Sequence, residues 1–202
     1  DDSITVGTGN KTILGGFGVD NITAGVGNHL VIGDNGEILY DAGVLKTVRT
    51  TDTTPATGGD DTITLGDGKN LVFGGVGVDT IKVGSGVNTI LGDSGVITYS
   101  AADKLESITS TTIDLGGNDN ITAGTGTNTI LGGFGNDIIT AGLGAISTNV
   151  VLGDNGALLY DIAGVLKTVR TTDTTAATGG DDTITLGDGT NTILGGMGRD
   201  TI

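Results

Sequence analysis

Asp61-Thr62-Ile63-Thr64-Leu65-Gly66-Asp67-Gly68-Lys69 is followed without a break by Asn70-Leu71-Val72-Phe73-Gly74-Gly75-Val76-Gly77-Val78. Then come Asp79-Thr80-Ile81-Lys82-Val83-Gly84-Ser85-Gly86-Val87 and Asn88-Thr89-Ile90-Leu91-Gly92-Asp93-Ser94-Gly95-Val96. Set under one another, these nonapeptides carry Asp or Asn at position 1 and Ile or Val at position 3. Gly holds positions 6 and 8 with few departures. A strand alternates its side chains between two faces, so Ile63 and Leu65 turn inward while Thr62 and Thr64 turn outward. The Gly-x-Gly that follows supplies the turn that β-branched residues make only at a cost. Two nonapeptides then close one coil of eighteen residues, and stacked coils pair strand on strand in parallel. One coil cannot bury its own aliphatic row, so its neighbours must do so. Glycine recurs every few residues and no 3.6 period appears, which argues against helix. The expected fold is all-β, a parallel β-solenoid (β-roll) of 18-residue coils.

Outward from this stretch, position 3 is filled by Ile4, Ile13, Ile22, Val31, Ile121, Ile130, Ile139, Val151, Ile184, Ile193 and Ile202. A longer repeat of about 60 residues encloses the short one. Residues 42–54 and 163–175 are the same thirteen letters, and residues 59–68 recur as 180–189. The chain reads as a single repetitive segment, with copies at about 1–59, 60–118 and 119–180 and a partial copy at 181–202. Each full copy carries an insert outside the nonapeptide pattern, at 37–58, 96–117 and 157–179. Ile38-Leu39-Tyr40 and residues 44–51, separated by Asp41-Ala42-Gly43, predict a β-hairpin or an enlarged coil. The outward position 4 is mostly Thr on the Asp half, but Leu14, Ile32, Phe73, Leu91, Leu131, Leu152 and Leu194 on the Asn half. Such an aliphatic row should not face water: either the inserts, which recur with the same period, fold over it, or a lateral partner covers it.

Composition narrows the function. Of 202 residues 40 are Gly and 36% are apolar, which supplies a small-aliphatic core despite the absence of Trp. Twenty-four acids against nine bases leave a net charge of −15, which excludes nucleic acid and disfavours anionic membrane surfaces. No stretch has transmembrane length. Cysteine is absent, so disulfides and thiolate metal sites are excluded. With a single histidine, His29, no nucleophile–base pair can be assembled, and the expectation is a protein without catalytic residues.

Residues 74–82 fit G-G-x-G-x-D-x-U-x, a calcium-binding β-helix repeat, and so do the runs Gly15 to Asp20, Gly132 to Asp137 and Gly195 to Asp200. In these residues the chain resembles the repeats-in-toxin (haemolysin-type) calcium-binding repeat family of secreted toxins, proteases and giant adhesins. The resemblance implies a β-roll with calcium (Ca2+) between adjacent turns on one side. The chemistry stands without the family: calcium takes about six to eight oxygens, many of them carbonyls, and glycine turns let carbonyls converge. Carboxylates stacked about 4.8 Å apart repel unless a cation is shared. The candidate ligands are Asp2, Asp20 and Asp34, then Asp61, Asp79 and Asp93, then Asp119, Asp137 and Asp154, with Asp182 and Asp200 opening the next copy. The competing use of these aspartates is to cap turns through backbone hydrogen bonds. On the other half position 1 holds Asn70, Asn88, Asn128, Asn149 and Asn191, with Lys11 and His29 in copy one. Asn can ladder through its amides, so calcium is expected on the Asp side alone.

The expected function is that of a spacer or scaffold in a large secreted surface protein, such as an adhesin, biofilm or fibre component, ordered by calcium outside the cell. Both ends fall within a repeat, so the partners expected are calcium ions and neighbouring repeats or identical subunits stacked end to end, with no membrane insertion. Two alternative readings are an ice-binding face, from outward pairs such as Thr62 and Thr64, and a non-catalytic carrier module of a secreted enzyme.

Overall fold

The computed structural model describes residues 1–202 except Ala176, which lies within the third insert. Twenty strands and no helix are found among the described residues. Seven short strands form one parallel sheet: β1 (Ser3–Val6), β3 (Asn21–Ala24), β7 (Thr62–Leu65), β9 (Thr80–Val83), β13 (Asn120–Ala123), β15 (Ile138–Ala141) and β19 (Thr183–Leu186). Seven more form a second: β2 (Lys11–Leu14), β4 (His29–Ile32), β8 (Gly68–Phe73), β10 (Gly86–Leu91), β14 (Gly126–Gly133), β16 (Ser147–Asp154) and β20 (Gly189–Leu194). The chain alternates between the two sheets, which makes each pair of strands one coil.

The register puts like on like. Ile4, Ile22, Ile63, Ile81, Ile121, Ile139 and Ile184 pair in succession across the first sheet. Ile13, Val31, Val72, Ile90, Ile130, Val151 and Ile193 do so across the second. A one-residue slip would turn every one of these outward, so the buried row holds the register. Most are fully buried between the sheets, joined by Leu65, Val83 and small Ala24, Ala123 and Ala141. Ile4 and Ile193 are only partly buried, and Ile202 is 68% exposed and contributes nothing to the core.

The inserts form a third, antiparallel sheet from three hairpins: β5 (Gly36–Asp41) with β6 (Val44–Thr50), β11 (Gly95–Tyr99) with β12 (Leu105–Ser110), and β17 (Gly156–Tyr160) with β18 (Leu166–Thr171). The hairpins also pair with one another, β6 with β11 and β12 with β17, in the order β18-β17-β12-β11-β6-β5. This sheet lies over the outward aliphatic row. Ile32, Phe73, Leu91, Leu131 and Leu152 pack against Val48, Ile97, Ile108 and Leu158 in a second core. Leu14, in the first coil, stays 39% exposed and Leu194 is partly buried, so the cover stops short of both outer coils.

The asparagine corners form a continuous amide ladder. Asn70 Nδ2 donates to Asn88 Oδ1 at 2.9 Å, Asn88 to Asn128 at 2.9 Å, Asn128 to Asn149 at 2.8 Å and Asn149 to Asn191 at 2.7 Å. The same amides also donate to corner carbonyls, as Asn88 Nδ2 does to Gly84 at 3.0 Å. His29 occupies the equivalent place in the second coil, buried, with Nε2 2.7 Å from the Gly25 carbonyl.

Candidate metal centre

The opposite corners stack aspartates where the first stack asparagines. Each carboxylate accepts a hydrogen bond through Oδ1 from the backbone N–H of the aspartate one coil earlier. Asp2 N–H donates to Asp20 at 2.6 Å, Asp20 to Asp61 at 2.7 Å, Asp61 to Asp79 at 2.7 Å and Asp79 to Asp119 at 2.8 Å. Asp119 donates to Asp137 at 2.8 Å, Asp137 to Asp182 at 2.8 Å and Asp182 to Asp200 at 3.1 Å. One oxygen of each carboxylate thus performs the turn-capping that the sequence left open. The second oxygen does not. Oδ2 of Asp20, Asp61, Asp79, Asp119, Asp137 and Asp182 is buried and finds no donor among the described residues.

What surrounds that oxygen is more oxygen. A methyl group added at Gly33 would run into both Asp61 Oδ2 and the Gly74 carbonyl. One at Gly74 would meet Asp79 Oδ2 and the Gly92 carbonyl, and one at Gly132 would meet Asp137 Oδ2 and the Gly153 carbonyl. Gly15, Gly92 and Gly153 repeat the arrangement with Asp20, Asp119 and Asp182. The absent Cβ leaves room in which a carboxylate of one coil and carbonyls of the next converge. An asparagine would place an N–H there, and the Asn corners do so. An aspartate places a second acceptor beside an acceptor, which is unfavourable when buried.

The electrostatics agree. Burial, the largest cause, pushes the Asp61 carboxyl up to about 7 and that of Asp182 to about 7, with neighbouring aspartates, Asp20 and Asp60 on the first and Asp154 and Asp200 on the second, adding to the rise. Asp137 is raised to about 9, and Asp79 and Asp119 stand well above the usual carboxylate range, burial leading in each case. Ionising this row in the absence of a cation is therefore costly.

The row read from the sequence counted Asp34 as a rung between Asp20 and Asp61; the structure passes from Asp20 straight to Asp61. Asp93 and Asp154 are likewise bypassed, by Asp119 and Asp182. The reason is where the inserts leave the coil. The corner Gly74-Gly75-Val76-Gly77-Val78-Asp79 is contiguous. Its counterpart one coil earlier starts at Gly33-Asp34, departs into the hairpin and closes through Gly58-Gly59-Asp60-Asp61. Asp34 thus takes the place of the second glycine, and its Oδ2 accepts from Val76 N–H in the next coil at 2.6 Å. Asp93 accepts from Gly117 N–H at 3.1 Å and from Phe134 N–H; Asp154 accepts from Gly180 N–H at 2.9 Å and from Met197 N–H. The outer rungs Asp2 and Asp200 are less enclosed, Asp2 being exposed and Asp200 half-buried.

The glycine carbonyls expected to converge at the turns are in place beside the carboxylates; position-by-position reading of the sequence missed the closing pairs Gly58-Gly59, Gly116-Gly117 and Gly179-Gly180. The available signal was Gly-Gly two residues before each ladder aspartate that follows an insert. Among the described residues no three acidic or histidine side chains converge on one point. Each corner brings one ladder carboxylate, and the rest of its donors are carbonyls. An all-oxygen, anionic, carbonyl-rich donor set fits a hard divalent cation, and calcium, which tolerates many carbonyl ligands, fits better than magnesium.

Fold and corners together define a parallel β-solenoid whose aspartate corners offer candidate metal sites. The RTX calcium-binding nonapeptide repeat matches residues 1–28, 56–81, 67–96, 115–145 and 171–202, and the chain belongs to that family. Its repeats bind Ca2+, form structural modules that are in general non-catalytic, and occur in secreted extracellular proteins. No curated protein and no solved structure matches the chain.

Proposed function

We propose that this chain is a calcium-ordered spacer of a large extracellular surface protein, with Asp20, Asp61, Asp79, Asp119, Asp137 and Asp182 as its main metal ligands and Asp2 and Asp200 as outer ones. The observation that carries the reading is the buried, donorless Oδ2 recurring once per coil beside glycine carbonyls. A bound divalent ion supplies the positive charge that lets these carboxylates ionise inside the stack. The chain's own part is to hold Oδ1 on the backbone, aim Oδ2 inward and keep the corner free of Cβ atoms. Extracellular calcium is abundant, so folding would follow export. Neighbouring repeats or identical copies are the partners this reading assigns. Supporting it, β18 repeats the Leu-Lys-Thr-Val-Arg-Thr sequence of β6, and β6 uses its outer edge to take up the next hairpin.

The test is far-UV circular dichroism of the chain during calcium titration and chelation. The reading expects parallel-sheet signal to build with calcium and to be lost with chelator. An identical, fully folded spectrum in both conditions, with no calcium bound, would remove it.

A further inference from the structure

Each hairpin offers an edge to the next, and the two junctions in the structure are built alike. β6 pairs with β11 through Thr47, Val48 and Arg49 against Thr98, Ile97 and Val96. β12 pairs with β17 through Ser107, Ile108 and Thr109 against Leu159, Leu158 and Ala157. A side-chain hydroxyl marks each junction. The last residue of one hairpin receives the N–H of the glycine that opens the next: Gly95 donates to Thr50 Oγ1 at 3.1 Å and Gly156 to Ser110 Oγ at 3.1 Å. Thr50 and Ser110 are both buried. A methyl group on either glycine would strike the core leucine beside it, Leu91 or Leu152, which keeps both positions to glycine.

β18 stands third in this series. Its residues 166–171 are those of β6 at 45–50, and Thr171 takes the place of Thr50 and Ser110. Yet β18 ends the sheet, with no strand beyond it among the described residues. Burial records the difference: Val48 and Thr50 are buried, whereas Val169 and Thr171 are only partly so. Lysine and arginine commonly keep an edge strand from pairing. Here they do not, since β6 carries the same two residues and is paired on both sides.

The spacing of the roots says which strand fits. Hairpins leave the stack after β4, β10 and β16, every second strand of the second sheet, with β8 and β14 as plain rungs between. β20 is the plain rung after β16, so a hairpin that reaches β18 leaves from the coil directly beyond β20. A second copy of the chain does not meet this condition. Its β5 follows β4, behind the plain β2, and arrives one coil, about 4.8 Å, too far along.

We propose that the outer edge of β18 is a docking strand for a hairpin of the β11–β12 kind, carried by a neighbouring repeat whose first coil bears the insert. Its Val-Ile-Thr lies antiparallel against Arg170, Val169 and Thr168, and its opening glycine donates to Thr171 Oγ1. The inference rests on the partner reading above and selects neighbouring repeats over identical copies.

Hydrogen exchange of the chain in calcium, with and without a C-terminal copy of residues 82–118, tests this. Because Asp200-Thr201-Ile202 repeats Asp79-Thr80-Ile81, the addition places a β11–β12 hairpin on the coil beyond β20. Amides on the outer edge of β18 should slow at least about tenfold on extension, and Thr171→Val should return them toward the unextended rate. In the unextended chain Thr50→Val should speed exchange in β11 by a similar factor, which keeps the proposal open to failure if the extension does not order. An added coil that is protected while β18 exchanges as before overturns the proposal, as does β11 exchange unchanged by Thr50→Val. Concentration-dependent protection of β18 in the unextended chain gives the edge to a second copy and also overturns it. Calcium stoichiometry, measured on the same samples, separates these outcomes from failure of the calcium reading.

Discussion

At the level of single residues, the two corner columns solve one packing problem in two ways. Asn88 fills its corner with an amide that donates to Gly84 and to Asn128. Asp79 fills the matching corner with an oxygen that has nothing to accept. Replacing Asp79 by Asn keeps the Oδ1 acceptor for Asp61 N–H and brings a donor to the facing carbonyls. Asp79→Asn should therefore stabilise the calcium-free chain by about 1 kcal/mol, the net worth of a hydrogen bond, while lowering calcium stoichiometry. Paired denaturation curves with and without calcium read both effects, and the opposite signs distinguish a metal ligand from a turn cap. Gly74→Ala probes the same corner from the other side: its Cβ would occupy the space between Asp79 Oδ2 and the Gly92 carbonyl. It should cost about 1–3 kcal/mol by overpacking and abolish binding at that corner. Gly7→Ala, with nothing within 4 Å, should change calcium binding not at all.

At the level of elements, the short strands were legible because alternation and glycine spacing leave one choice of inward row. Ile63, Ile81, Ile121 and Ile139 read as core from position alone, and are fully buried. The covering of Ile32, Phe73 and Leu91 followed from their period. Two things were not legible. The pairing of β6 with β11 and β12 with β17 depends on coils stacking two deep per hairpin, which no local pattern encodes. The splice point was hidden because Gly33-Asp34 and Gly92-Asp93 resemble the start of another nonapeptide, when the aspartate in fact stands in a glycine's column. The hairpin sheet makes its own prediction. Phe73 is fully buried between β8 and that sheet, so Phe73→Ala should cost about 3–5 kcal/mol in calcium-loaded protein. Faster amide exchange in β6 and β11 than in β9 would show that the loss is felt in the cover before the solenoid.

At the level of the whole molecule, the buried carboxylates couple folding to protons and, on the proposed reading, to calcium. The folded, calcium-free chain holds protons that the unfolded chain releases: Asp61 and Asp182 of the row are raised to about 7 and Asp137 to about 9, and Asp34 beside the row to about 8. Folded-state values above the unfolded ones mean that this stabilisation is complete in acid below about pH 4 and is lost as pH rises through 7 to 9. Calcium-free chain should accordingly be more stable at pH 5 than at pH 8.5 in thermal melts. Calcium must displace those protons, so its stabilisation should grow over the same interval. A calcium-free melting temperature that rises with pH there would contradict the burial of the row. The net charge of −15 adds general repulsion that calcium also relieves.

The most direct measurement is anomalous X-ray diffraction from crystals of the chain grown in calcium. Peaks are predicted in single file beside Asp20, Asp61, Asp79, Asp119, Asp137 and Asp182, with none along the column from Asn70 to Asn191. An ordered solenoid with those corners free of anomalous density, or with the ions on the asparagine side, would contradict the account.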